Sequence, residues 1–102
     1  MPDKEIKIAD ETHVIPRKRG NGLVRREVWT DAGGSVTRYN LAYVNHRLTS
    51  VDNGRVFGYD NAHDGHHRHW YGTVEAIRFR GYEGVEEDFQ KDLMQVLAEA
   101  KQ

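Results

Sequence analysis

Cysteine is absent from all 102 residues, which excludes disulfide cross-links, thiol nucleophiles and the thiolate ligand sets usual in structural zinc sites. Long apolar runs are lacking as well: no stretch approaches the ~20 residues that a membrane-spanning helix needs. The segment Met1–Ile8 is too charged for a signal peptide. These absences predict a cytoplasmic protein with no membrane partner. No internal repeat, low-complexity tract, phosphate-binding glycine loop or heptad series is present, which removes solenoids, P-loop nucleotide binding and coiled coils. What remains is one domain over residues 1–102, large enough for a thin core and too short for a second.

Charge of one sign is scarce only on average. The net charge of -1 conceals a basic centre: residues 13–82 hold eleven Lys/Arg against six acids, whereas residues 83–102 hold two against six. All six histidines fall in that central block. Such a distribution lets the body of the protein meet phosphate while the acidic tail stays in solvent or contacts a basic partner; a balanced folded surface is the plain alternative.

Residues 1–22 carry the alternation Glu5-Ile6-Lys7-Ile8, then Pro16 and the basic run Arg17-Lys18-Arg19-Gly20-Asn21-Gly22. They predict a short edge strand and a loop. Residues 23–30 and 36–46, rich in β-branched and aromatic residues, flank a glycine-containing linker and read as a hairpin. With Gly33-Gly34 at its turn, Val24, Val28, Tyr39, Leu41 and Tyr43 share a core face, and Arg25, Glu27, Trp29, Arg38 and Asn40 share the other. Trp29 beside Arg25 and Arg38 is then either a capped surface ring or a platform on which a base can stack. Asp52-Asn53-Gly54 marks the next turn. After Gly81 and Gly84, the apolar residues Val85, Phe89, Leu93, Val96, Leu97 and Ala100 recur at helical spacing, with Glu86, Glu87 and Asp88 expected in the first turn. The predicted fold class is α+β: an antiparallel β-meander of four or five strands within residues 23–80, with one C-terminal α-helix over 84–101 packed on one face, its stripe against Val28, Tyr39 and Leu41.

Chemistry concentrates in Tyr59-Asp60-Asn61-Ala62-His63-Asp64-Gly65-His66-His67-Arg68-His69-Trp70, which holds four of the six histidines. Asp64-Gly65 reads as a two-residue hairpin turn, setting Asp60 opposite His69, Asn61 opposite Arg68 and His63 opposite His66. Alternation then divides the histidines. Asp60, His67 and His69 share one face, where a carboxylate beside imidazoles suits a general base or a metal; His63, His66, Asn61 and Arg68 share the other. Solvated histidines at a sheet end are the bland reading. A divalent metal held by imidazole and carboxylate is compatible with the run, though acid–base chemistry here requires none.

The residues Gly58-Tyr59-Asp60-Asn61-Ala62-His63 and His66-His67-Arg68-His69, followed by a short strand and the acidic helix containing Phe89, resemble the TumE-type toxin family of bacterial and archaeal toxin–antitoxin modules. The resemblance covers about the C-terminal two thirds; residues 1–22 add nothing to it. It implies a compact α+β protein encoded beside a helix-turn-helix regulator that binds and neutralises it, and it brings no defined mechanism. On the motif and the chemistry, Asp60, His63, His66, His67 and His69 are the candidate catalytic residues, and Asn61, Arg68, Trp29, Arg25 and Arg38 the candidate substrate contacts. The expected activity is on RNA or the translation apparatus by acid–base cleavage, with a non-catalytic nucleic-acid- or protein-binding module as the alternative. A homodimer is compatible with either.

Overall fold

The alternating segments build one antiparallel sheet in which every strand pairs with its sequence neighbours: β1 (Ile6–Val14), β2 (Leu23–Thr30), β3 (Val36–Val44), β4 (Arg55–Asp60), β5 (His67–Trp70) and β6 (Thr73–Ala76). The computed structural model describes residues 4–62 and 64–100. The meander and the α+β class are as predicted, but the strands number six rather than four or five. Both margins form complete strands: β1 runs for nine residues, and β6 is exposed throughout. The edge strand expected from the Glu5–Ile8 alternation thus extends through Val14, well beyond the alternating residues.

Register places β2 and β3 side chains on the predicted faces. Trp29 faces Arg38, Glu27 faces Asn40, Arg26 faces Leu41 and Val24 faces Tyr43. The connection between them is not a two-residue glycine turn. Asp31 closes it instead, its Oδ1 accepting the backbone N–H of Gly33 at 2.9 Å and of Ser35 at 3.0 Å, the local side-chain bond that aspartate offers a turn.

Helix α1 (Tyr82–Ala100) begins two residues before the predicted start, so Glu86, Glu87 and Asp88 fall beyond the first turn, which holds Glu83; Lys101 lies outside the described residues. The helix lies over β3 and β4. Val85, Phe89 and Val96 are buried, with Leu93 and Leu97 partly so. The fully buried Phe89 ring centres 5.1 Å from Phe57 and 6.5 Å from Tyr59. Tyr39 and Leu41 join this cluster as expected, whereas Val28, though buried, does not, because the helix crosses nearer β4 than β2. It covers one face of the sheet, and among the described residues no other α-helix covers the opposite one. Among the described residues, no helix is long and apolar enough to cross a membrane.

Candidate functional site

Asn61 governs how the histidine hairpin closes. Its Oδ1 accepts the Tyr39 N–H and its Nδ2 donates to the Thr37 carbonyl, both at 3.0 Å, so a side chain prolongs the β3 ladder where the β4 backbone leaves it. The connection then occupies residues 61–66 between β4 and β5, with Asp64 (φ 49°) and Gly65 (φ 119°) in left-handed backbone. His63 lies outside the described residues. With this longer loop, Asp60 faces His67, Gly58 faces His69 and Tyr59 faces Arg68, two residues away from the register that a two-residue turn imposes. A slip of two keeps every side chain on its face. Asp60, His67 and His69 therefore share the open face of the sheet.

On that face His69 Nε2 lies 2.9 Å from Asp60 Oδ2, and Arg55 Nη2 lies 2.9 Å from His69 Nδ1. A guanidinium only donates. Nδ1 must therefore accept from Arg55, and the ring proton resides on Nε2, donated to Asp60. Arg55 also pairs with Asp52 at 2.7 Å and approaches Asp60 at 3.7 Å. These groups are well shielded, the side chains of His69 and Asp60 being 13% and 12% exposed. Gly58 makes the arrangement possible: a Cβ there would lie 2.6 Å from the Leu41 carbonyl oxygen and 3.2 Å from Arg55 Cδ. The space over Gly58 belongs to Arg55.

An open cleft of about 360 Å³ adjoins this array, walled by Arg55, Asp60 and His69 on one side and by Trp29, Arg38, Glu27 and Asn40 from β2 and β3. The Arg38 guanidinium sits 4.0 Å from the Trp29 ring centre and Lys7 Nζ sits 5.0 Å from it, both in the range of cation–π attraction. Lys7 also donates to Glu27 at 2.9 Å and Asn40 donates to it at 3.2 Å. The Lys7 ammonium, with Asn40 and Arg25 assisting against desolvation, holds the Glu27 carboxyl below its ordinary range. Arg25 shares the face but is held 2.6 Å from Asp10, outside the cleft wall.

The remaining candidates lie elsewhere. His66 is on the helix side, bonded through Nδ1 to the Tyr39 hydroxyl at 2.9 Å and stacked on Phe79 with ring centres 3.7 Å apart; burial, then the charge of His67, lowers its pKa. Burial, with the negative charge of Asp60 assisting, pushes the Tyr39 phenol up to about 12. Arg68 is also on the helix side. Its Nε lies 3.1 Å from both Asp92 Oδ2 and the Tyr59 hydroxyl, and its guanidinium carbon 4.3 Å from the Trp70 ring centre. Burial disfavours its charge, and the Asp92 carboxylate more than compensates. His67, opposite Asp60 in the register, is half-buried on the open face and makes no side-chain hydrogen bond among the described residues. No group of three or more His, Cys, Asp or Glu among the described residues is placed to hold a metal ion.

Two residues of these networks escape the reading of the sequence. Asp92 was legible in principle, since it lies three positions after Phe89 on the buried side of α1 and an acid there requires a partner. Arg55 was not, because simple alternation puts position 55 on the face opposite position 60. The register shift in which Tyr43 faces Phe57 but Val44 faces Arg55 brings it across.

No curated protein and no solved structure matches the chain. The family described as Toxin TumE matches residues 4–97, taking in β1 and the basic loop as well as the C-terminal two thirds that carry the motif resemblance. With nearly its whole length matched, the chain belongs to the Toxin TumE family.

Proposed function

We propose that this protein is the toxin of a toxin–antitoxin module and that it acts in the cytoplasm on RNA, free or within the translation apparatus, through the open face of its sheet. Membership of a toxin family implies an antitoxin partner; a helix-turn-helix regulator is the partner proposed. The observation that carries the RNA reading is the hydrogen-bonded series Arg55, His69, Asp60 set beside the Trp29–Arg38 stack in one cleft. An aromatic ring under a guanidinium is a surface on which a base stacks, and the neighbouring arginine suits a phosphate oxygen.

Cleavage in this site follows from acid–base chemistry. A phosphate draws Arg55 away from His69 Nδ1, which frees that nitrogen to take the proton of a ribose 2′-hydroxyl as its oxygen bonds to phosphorus. The P–O5′ bond breaks, and His67, on the same face and entering as imidazolium, donates its proton to the leaving 5′-oxygen, which leaves a 2′,3′-cyclic phosphate and a 5′-hydroxyl. Arg55 takes the role that proximity to the histidines suggests for Arg68, since it stands on the same face as the imidazoles and neutralises charge developing on phosphate. In this scheme the chain's own residues carry the proton transfers.

The test pairs growth on induction with cleavage of single-stranded RNA by the purified protein. His69→Ala and Asp60→Asn should abolish growth arrest and slow cleavage about 100-fold or more, while His66→Ala, on the other face, should retain both. Equal activity in all three variants would overturn the assignment. One observation favours a non-catalytic reading: both ring nitrogens of His69 are occupied. RNA bound with a steep salt dependence but left intact by the wild type would establish that reading instead.

A further inference from the structure

At the opposite end of the strands, the loop before β2 and the loop after β3 enclose a second cleft of about 270 Å³, lined by Arg17, Gly20, Asn21, Asn45, Arg47 and Leu48. Its floor is the buried Asn45, only 2% exposed. Asn45 Nδ2 donates to the Gly20 carbonyl at 3.1 Å and to the Tyr43 hydroxyl at 2.9 Å, and its Oδ1 accepts from Asn21 Nδ2 at 3.0 Å and from the Arg47 N–H at 2.9 Å. One side chain thus ties the two loops together. The conformation is fixed on the other side as well: Gly20 takes φ 124°, and a Cβ there would meet Leu97 of α1 at 2.7 Å.

Two cations line this frame, Arg17 and Arg47, and Lys18 and Arg19 follow Arg17 in sequence. Arg17, Lys18 and Arg19 form a single 3-10 turn and Arg47 comes from the other loop, all of them exposed. Arg25, Arg26, Arg38, Arg55, Arg68 and Arg80 each pair with a carboxylate. Among the described residues, Arg17, Lys18, Arg19 and Arg47 have no such partner, nor do Lys4, Arg78 and Lys91; of these seven, Arg17 and Arg47 are the two that line a cleft. Positive charge left uncompensated on a pre-organised loop is the electrostatic footprint of an anion site. The cleft is smaller than those that enclose drug-sized ligands and matches a phosphoryl group with part of its sugar.

We propose that the Arg17–Arg47 cleft binds phosphate and that its source is the backbone of an RNA strand. The choice of RNA rests on the RNA-directed reading above; the affinity for a phosphoryl group does not. Leu23, beside the basic loop, is six residues along β2 from Trp29 in the first cleft, which at ~3.3 Å per residue puts the two sites roughly 20 Å apart. A strand held in the second cleft is thereby anchored several nucleotides from the Asp60–His69 pair, and the anchor contributes affinity without touching the reacting atoms. Bidentate guanidinium contacts are suited to that role.

The experiment compares three forms of the full chain: the wild type, Arg17→Gln with Arg47→Gln, and a charge-matched control, Arg78→Gln with Lys91→Gln, whose positions are exposed and lie outside both clefts. Binding of a fluorescent single-stranded oligoribonucleotide is followed by anisotropy over a salt series, and inorganic phosphate is titrated while the Gly20, Asn21 and Arg47 amides are watched by NMR. The cleft variant should bind RNA about tenfold more weakly, its salt slope shallower by about 0.7 for each phosphate that it no longer neutralises, and the control should stay near the wild type. Wild-type amides should shift saturably with phosphate. If phosphate saturates the cleft while RNA fails to bind, the phosphate site stands and the RNA reading falls. Equal weakening in the control overturns the site in favour of overall charge. No response to phosphate together with unchanged RNA binding in the cleft variant overturns it outright. Capture by phosphatidylserine–phosphatidylcholine vesicles, abolished in the cleft variant and with no response to RNA or phosphate, overturns it in favour of an anionic membrane surface.

Discussion

His69 donates to Asp60 at 2.9 Å although the residue facing Asp60 across the β4–β5 ladder is His67. The contact is diagonal, a geometry that long side chains reach readily, and it forms because Gly58, the residue facing His69, offers no side chain of its own. Arg55 then closes the ring's other nitrogen. This pairing fixes a tautomer: His69 should be found with its proton on Nε2. Nitrogen-15 NMR of the imidazole reads that state directly; Arg55→Ala leaves Asp60 accepting from Nε2 and should keep the tautomer, whereas Arg55→Ala with Asp60→Ala should yield a tautomer mixture. A wild-type ring protonated on Nδ1 alone would refute the arrangement.

Phe89 is the centre of the helix–sheet contact, fully buried against Phe57 and Tyr59. Phe89→Ala should therefore destabilise the fold by about 3 to 5 kcal/mol in chemical denaturation, the loss of transfer energy and the cavity acting together. Met94, on the same helix but 73% exposed, supplies the contrast. Met94→Ala should change stability by less than about 0.5 kcal/mol.

The faces of this protein were readable in its sequence, and the register was not. Period-two alternation assigned Trp29, Arg38 and Asn40 to one face and Tyr39 and Leu41 to the other, and Asp60 with His67 and His69 to a shared one, because alternation depends only on parity. Pairing depends on loop length. Asp64-Gly65 carries the residues of a two-residue turn, yet Asn61 bonds to the β3 backbone and withdraws its neighbours into a longer loop. That tertiary contact has no local signature. The helix stripe was legible for the same reason as the faces, while its position over β4 followed from where Phe57 and Tyr59 stand in the folded sheet. Arg55 shows the limit most sharply, since an irregularity in pairing moved it to a face that its position number denies it.

His66 gives the stability a pH dependence of known sign. Burial, reinforced by His67, depresses its pKa below the ordinary 6.5. The unfolded chain then takes up a proton before the folded one does, so the contribution is complete above 6.5 and is lost as pH falls from there through the lower folded value. His66→Phe keeps a ring against Phe79 and removes the titration. Urea unfolding on both sides of this window should show the wild type losing stability relative to His66→Phe on acidification. A constant difference between the two proteins would mean that His66 titrates normally in the fold.

Arg55 and Arg68 have exchanged the roles that proximity in sequence suggests. Arg68 stands in the histidine run, but its guanidinium is bound to Asp92 and the Tyr59 hydroxyl and lies over Trp70, beneath the helix. Removing it leaves the shielded Asp92 carboxylate short of its cationic partner. Arg68→Met should cost about 1.5 to 3 kcal/mol, the range for a hydrogen bond to a charged group, while the folded fraction keeps its activity on RNA. Replacing both members, Arg68→Met with Asp92→Leu, should recover much of the loss, because no unpaired charge then remains. Arg55→Met should behave in the opposite way. It deprives the His69–Asp60 pair of its guanidinium and the phosphate of its neutralising charge, so activity per folded molecule should fall at least about 100-fold. Circular dichroism and denaturation report the folded fraction, and RNA cleavage or growth arrest reports activity. A folded but inactive Arg68→Met beside an active Arg55→Met would move the working site to the helix side of the sheet.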